Sequence, residues 1–226
     1  MRALALALVI AGCGSGDPGG PDAALTGDAS TTIDAVPGDA PPAGASLGDF
    51  QLTYYWVTAE DEFGGAADTT IYTPACDALA TVPAGFASSL DIEGTGRLAD
   101  GTVINVSGGC PCLRSPCYEA VDAAHPWGYG VQDRALEPYR SIAVDPSVIA
   151  YGTSLYLPAF DGVAMPGDPP WGGFVHDGCA IAADTGGGIV GMHVDFFAGL
   201  KASYLTLDAA LMKDTITVNA GGARCP

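Results

Sequence analysis

The chain has 226 residues, with 26 acidic against 8 basic side chains and a net charge of −18. That balance leaves no basic patch to neutralise phosphates and excludes nucleic acid as a natural partner. Seven cysteines in a chain of this length point to an oxidising compartment and away from the cytosol.

At the N-terminus, Met1-Arg2 precedes a short apolar run from Ala3 to Ala11, well below the ~20 residues that span a bilayer. The run closes in Ile10-Ala11-Gly12-Cys13, which resembles the lipobox of bacterial lipoproteins. The resemblance implies a leader over residues 1–12, cut before Cys13. The Cys13 thiol would then carry lipid and anchor the chain to the cell envelope, at an outer membrane or the cell surface. An ordinary cleaved leader with a chance cysteine is the alternative; both make the chain an exported one. Setting Cys13 aside leaves Cys76, Cys110, Cys112, Cys117, Cys179 and Cys225, an even set that suits three bridges, with all fifteen pairings open. Cys110, Cys112 and Cys117 are clustered, but zinc ligands usually stand two to four residues apart in the first pair. No histidine sits at ligand spacing beside them, so disulfides are expected and a metal is not.

Residues 13–46 are almost wholly Gly, Ala, Pro, Asp, Ser and Thr. They cannot bury enough apolar surface to offset chain entropy and read as a disordered acidic tether. Its typical reach is roughly 30 Å. From residue 47 to 226 the composition suits one domain. Phe50–Val57 is rich in β-formers. Arg97–Ala99 and Thr102–Val106 flank Asp100-Gly101, a dipeptide suited to a type I′ hairpin turn. Further strands are expected at Ser141–Val144, Ser154–Leu157, Gly173–Val175, Ala180–Ala183, Ile189–Phe197 and Thr215–Asn219. Only Tyr204–Lys213 has helical spacing, through Tyr204, Leu207, Ala210 and Leu211. Many short strands with frequent Gly and Pro predict an all-β barrel with one late helix and disulfide-stapled loops.

Three segments then stand out. They are Ile142-Ala143-Val144-Asp145-Pro146 running to Thr153, Ile181-Ala182-Ala183-Asp184-Thr185-Gly186-Gly187-Gly188-Ile189, and Gly191-Met192-His193-Val194-Asp195-Phe196-Phe197. Each sets one aspartate in or at the end of an apolar run, where an unpaired carboxylate is costly. On a strand over 189–197, Gly191, His193 and Asp195 share one face, with Met192, Val194 and Phe196 on the core face. Thr185-Gly186-Gly187 would bring backbone N–H groups close to a sugar or a carboxylate.

These segments resemble the three-aspartate (3D) domain, which forms the C-terminal part of the membrane-bound lytic murein transglycosylase A family. The likeness runs from about Arg140 to Asn219. A weaker one over Gly94-Thr95-Gly96 and Asp100-Gly101 resembles that family's glycine-rich, substrate-binding segment. Two departures are Ala150 in place of a usual proline and a long loop from Phe160 to Asp177 that holds Trp171. The resemblance implies a six-stranded double-psi β-barrel. It also implies cleavage of the β-1,4 bond between N-acetylmuramic acid and N-acetylglucosamine in peptidoglycan strands, leaving a 1,6-anhydro end without any cofactor. Asp195 falls on the acid/base position, with Asp184 and Asp145 on the other two aspartates of the pattern. A hydrolase usually needs two carboxyl groups. Here the sugar's own 6-hydroxyl attacks, so one carboxyl first gives and later takes the proton, provided that its pKa is raised by burial or a neighbouring carboxylate such as Asp184.

Plainer readings stand beside these. Asp145 before Pro146 is well placed to form a turn, Asp184 to cap one, and His193 to be a solvated surface histidine. Trp127 and Trp171, in loops, are placed either to stack on sugars or to pack. Two other functions compete with the enzyme. Asp184-Thr185-Gly186 is similar to the aspartic protease signature, which needs a second copy that this chain lacks. A barrel that holds glycan without cutting it, as expansin-like modules do, would have much the same sequence. A monomer is expected.

Overall fold

The computed structural model describes residues 40–226; the leader, Cys13 and most of the tether lie outside the described residues. β1 (Ser46–Trp56) leads into a short β2 (Thr58–Ala59), the hairpin β3 (Ala67–Tyr72) and β4 (Ala78–Pro83), and helix α1 (Ala84–Glu93). Strands β5 (Thr95–Arg97), β6 (Val103–Gly108) and β7 (Cys117–Ala120) follow. An irregular stretch then leads to β8 (Ser141–Val144), β9 (Ser154–Tyr156), β10 (Cys179–Asp184), β11 (His193–Gly199), α2 (Lys201–Leu211) and β12 (Thr215–Ala220).

Six strands close into a barrel in the order β1-β11-β8-β10-β9-β12. Two of its pairs are parallel, β1 with β11 and β8 with β10, so the chain must cross the barrel between the members of each pair. The interior is filled by Phe50, Leu52, Ile142, Val144, Leu155, Val194, Phe196, Ile216 and Val218, all 5% exposed or less. Their alternation along each strand turns Thr53, Tyr55, Ala143 and Asp195 to the outside.

Between β1 and β8 the chain builds a second lobe. β2, β5, β6 and β7 form one sheet and β3–β4 another. Both pack with α1 around Ile71, Val82, Phe86, Leu90, Ile104 and Tyr118. Helix α1 has no counterpart in the sequence expectations, because only Phe86, Ala87 and Leu90 form its buried stripe and Gly85, Ser88 and Ser89 dilute the rest. The late helix spans Lys201–Leu211, and Tyr204 on it stacks on Trp56 at 4.9 Å.

Three local expectations are corrected. The β5–β6 turn is not type I′: of its residues only Gly101 takes a positive φ, while the Asp100 carboxylate accepts from the Thr102 N–H at 2.9 Å. Residues 173–175 form no strand but a single bridge between Ala164 and Val175. β11 starts at His193 and not Ile189, because Gly191 at φ +67° turns the chain just before it; Met192 is consequently 44% exposed and not core.

The six cysteines pair as Cys76–Cys112, Cys110–Cys117 and Cys179–Cys225. The sulfurs of Cys110, Cys112 and Cys117 lie within 4.8 Å of one another, yet each belongs to a disulfide, so the cluster is two adjacent bridges. The third bridge ties the C-terminus to β10. No described helix is long and apolar enough to cross a membrane.

Candidate active site

The strand register brings the site together. Thr53 of β1 faces Asp195 of β11, Asp195 faces Ala143 of β8, and Ala143 faces Asp184 of β10. Four neighbouring strands thus carry a row of residues, with the two carboxyl-bearing positions two strands apart, about 9–10 Å between their Cα atoms. The register shift between Ala182 and Asp184 brings Asp184 into that row.

Asp195 accepts a hydrogen bond from the Thr53 hydroxyl at 2.7 Å, and the same hydroxyl lies 2.8 Å from His193 Nε2. Asp184 accepts from the buried Tyr55 hydroxyl at 2.9 Å and from the Thr185 N–H at 2.8 Å. Both aspartates are half-buried. Further along β11 the same outer face is sealed, with Phe197 packed under Tyr55, Trp127 and Leu136. Asp195 therefore sits where the covered part of the barrel wall ends and the open part begins.

Burial is the first cause of what happens to their protons. It pushes the Asp195 carboxyl up to about 6 against the pull of the Thr53 hydroxyl and of His193. It pushes Asp184 up to about 6 as well, with the Asp195 charge adding and the Thr185 and Tyr55 hydrogen bonds subtracting. A carboxylate that loses hydration keeps its proton longer.

Asp184 and Thr185 form the barrel side of a cleft of ≈570 Å³. Its other wall is the second lobe, through Glu93 and Gly94 at the end of α1, Thr95 on β5, Asn105 and Val106 on β6, and Glu119 on β7. The strap Tyr129-Gly130-Val131 also lines it. Asp195 does not line this cleft; it lies beside it, on the open stretch of the barrel face. At Gly130 the strap passes so close to β10 that a Cβ there would meet the Ala183 carbonyl oxygen at 2.2 Å, which only glycine tolerates.

Among the expected glycan-binding residues, Gly94, Thr95 and Thr185 line the cleft, while Gly96, Gly186 and Gly187 do not. Gly94 caps α1 in the left-handed conformation at φ +75°. Gly96 gives way to Phe86 and Leu90, whose rings and methyls a Cβ would strike at 2.9 and 2.7 Å. The Thr95 hydroxyl is held by Asn105 Oδ1 at 2.7 Å, the atom that also takes the Tyr129 N–H at 3.1 Å.

Asp145 stands apart from the cleft. Its carboxylate takes the Ser147 N–H and hydroxyl at 2.8 and 2.7 Å and, across the loops, the Gly191 N–H at 2.7 Å. These donors hold its pKa below the ordinary carboxylate value, the Gly191 N–H most of all. Its geometry is that of a clasp between the β8–β9 and β10–β11 loops. Trp127 is buried and packs edge-on against Trp171 and Phe197, with the Arg97 guanidinium over its ring at 5.5 Å.

Glu93 was not foreseen. It is half-buried at the C-terminal end of α1, accepts the Trp56 N–H at 3.2 Å and lines the cleft. Burial raises its pKa to about 7, with the Asp195 and Glu62 charges adding and Lys201 subtracting. The position beside Gly94-Thr95-Gly96 was the available sign, but nothing in the sequence places that segment opposite Asp184.

Residues 140–217 match the model of the 3D domain. The fold is similar to that of Escherichia coli MltA solved with bound chitohexaose, at 15% identity and a TM-score of 0.53, over 76% of this chain and 71% of that one. It is also similar to a membrane-bound lytic murein transglycosylase from Agrobacterium tumefaciens, at 14% identity and a TM-score of 0.47, over 78% and 74% of the two chains. No curated protein matches the chain in sequence.

Proposed function

We propose that the chain is a peptidoglycan lytic transglycosylase in which Asp195 is the single acid/base, acting on a glycan strand laid along the cleft between barrel and lobe. In this reading the Asp195 carboxyl protonates the glycosidic oxygen as the bond to the N-acetylmuramic acid C1 breaks. The resulting carboxylate then takes the proton from the sugar's 6-hydroxyl, whose oxygen closes on C1 to leave the 1,6-anhydro end. The proton inventory closes without water, so one carboxyl is enough. The observation that carries the reading is a partly exposed aspartate whose carboxyl is raised to about 6 by burial, at the edge of an open, polar, two-walled groove. Support also comes from the 3D domain match and from the glycan bound to MltA, a protein of similar fold. Asp184 is the neighbouring carboxyl that orients the strand or tunes Asp195. Attachment to a membrane through lipid on Cys13, outside the described residues, belongs to the same proposal.

A second reading is favoured by one observation. Asp184, and not Asp195, lines the cleft itself, which would suit a hydrolase that uses a second carboxyl to activate water. Against it, both Asp184 oxygens already take donors from Tyr55 and Thr185, which leaves Asp184 poorly placed to activate a water.

The test is digestion of purified peptidoglycan sacculi by the full chain, with mass spectrometry of the released muropeptides. Anhydro-terminated products that disappear in Asp195→Asn, with a smaller loss in Asp184→Asn, support the proposal. Ordinary reducing ends that need both aspartates mean a hydrolase. Sacculus binding with no release would leave a glycan-holding module and sink the catalytic reading.

A further inference from the structure

Resting on the assignment of Asp195 as the acid, we propose that His193 is a positioning residue that shares one mobile proton with Asp195 through the Thr53 hydroxyl, and that glycan binding moves that proton onto Asp195. Three contacts across β1, β11 and the loop before β11 make the chain of groups: Asp195 Oδ1 to Thr53 Oγ1 at 2.7 Å, Thr53 Oγ1 to His193 Nε2 at 2.8 Å, and His193 Nδ1 to the Gly188 carbonyl oxygen at 3.2 Å.

The last contact decides the tautomer. A carbonyl oxygen can only accept, so Nδ1 must carry a hydrogen in either charge state. Two arrangements of the remaining hydrogens then satisfy every contact. In the ion-pair form Nε2–H donates to Thr53 Oγ1 and the Thr53 hydroxyl donates to the Asp195 carboxylate. In the neutral form the Asp195 carboxyl donates to Thr53 Oγ1 and the Thr53 hydroxyl donates to Nε2. The step between them breaks the Nε2–H bond and the original Thr53 O–H bond. It forms a new Thr53 O–H bond and the Asp195 O–H bond. Three hydrogens are present before and after, so no proton enters or leaves.

The environment sets which form prevails. His193, Thr53 and Asp195 are each partly exposed, so water solvates the ion pair on the open stretch of barrel face beside the cleft. A glycan laid over them strips that water, and an ion pair loses more than a neutral pair when desolvated. The other titratable groups on this face are Asp184 from β10, Glu93 from α1 and Tyr55 from β1, and the Asp195 charge is unfavourable to all three. The acid is loaded when substrate arrives and the proton is parked on His193 when it leaves.

Imidazole ¹⁵N resonances of the full chain, followed with chitohexaose as the probe, test this directly. The neutral ring is expected as the Nδ1–H tautomer. At a fixed mildly acidic pH, saturation with the probe should move Nε2 from its protonated to its unprotonated shift. Thr53→Val, which keeps shape and removes the hydroxyl, should abolish that movement. The same variant should lower kcat on sacculi about tenfold to a hundredfold, with KM little changed, and Thr53→Ser should recover both. A neutral ring protonated at Nε2, or a Thr53→Val protein with wild-type kcat, overturns the proposal. Persistent anhydro products from Asp195→Asn would instead remove the acid assignment on which it rests, whereas an inactive Asp195→Asn beside a fully active Thr53→Val sinks the shared proton alone.

Discussion

At the scale of single residues, the three aspartates of one sequence pattern meet three different fates. Asp145 spends its charge on backbone and hydroxyl donors and has its pKa lowered, while burial raises those of Asp184 and Asp195 to about 6. If Asp195 is the acid, the active form is its protonated form. Activity on sacculi should therefore fall as pH rises through about 6, and only about one molecule in ten should carry the proton one unit above that value. A pH profile of initial rates checks this, and activity still rising above pH 7 would contradict it. The sequence made the identity of all three residues legible, because each ends or interrupts an apolar run. Their separate roles were not legible, since whether Gly191 or Tyr55 donates to a given carboxylate is decided by loops and strands far away in the chain.

Elements decide which of those side chains meet. The β-strands of the barrel were readable because alternation and β-branched composition agree, as in β8 and β12. The start of β11 was not, because the turn at Gly191 leaves four expected strand residues, Ile189 to Met192, in loop. Helix α1 shows how an element that lines the cleft escapes notice. Its narrow apolar stripe is weak as a pattern, yet it carries Glu93 into the cleft at the helix C-terminus, where the backbone dipole also disfavours a negative charge. The linkage has a definite sign. Glu93 has a folded-state pKa raised from 4.5 to about 7, so its contribution to stability is intact below the unfolded value and is lost as pH climbs through about 7. Glu93→Gln should match the wild type near pH 4 and exceed it by about 1–2 kcal/mol at pH 8, after allowance for its partial exposure. Urea unfolding at the two pH values measures it, and a variant less stable at pH 8 than the wild type would refute the burial argument.

For the molecule as a whole, the barrel is composed of β1 and of everything from β8 onward, with a lobe of its own core inserted between them. Composition and turn spacing indicated a barrel but could not reveal the insertion, since the lobe uses the same short strands. The disulfides follow this division. Cys76–Cys112 and Cys110–Cys117 brace the lobe, and Cys179–Cys225 braces the barrel. The last closes a separation of 46 residues, which chain entropy values at ~4 kcal/mol. Replacing both Cys179 and Cys225 by Ser should lower denaturant stability by about 2–4 kcal/mol, and an unchanged unfolding midpoint would show that the bridge adds nothing.

The inserted lobe carries one more consequence. The hydrogen bond from Thr53 to Asp195 joins residues 142 apart in sequence, and that from Tyr55 to Asp184 joins residues 129 apart. Neither can form in a nascent or half-assembled polypeptide, because the first strand must wait for nearly the last. The polar row is therefore absent until the C-terminal strands have been made and have paired with the first one.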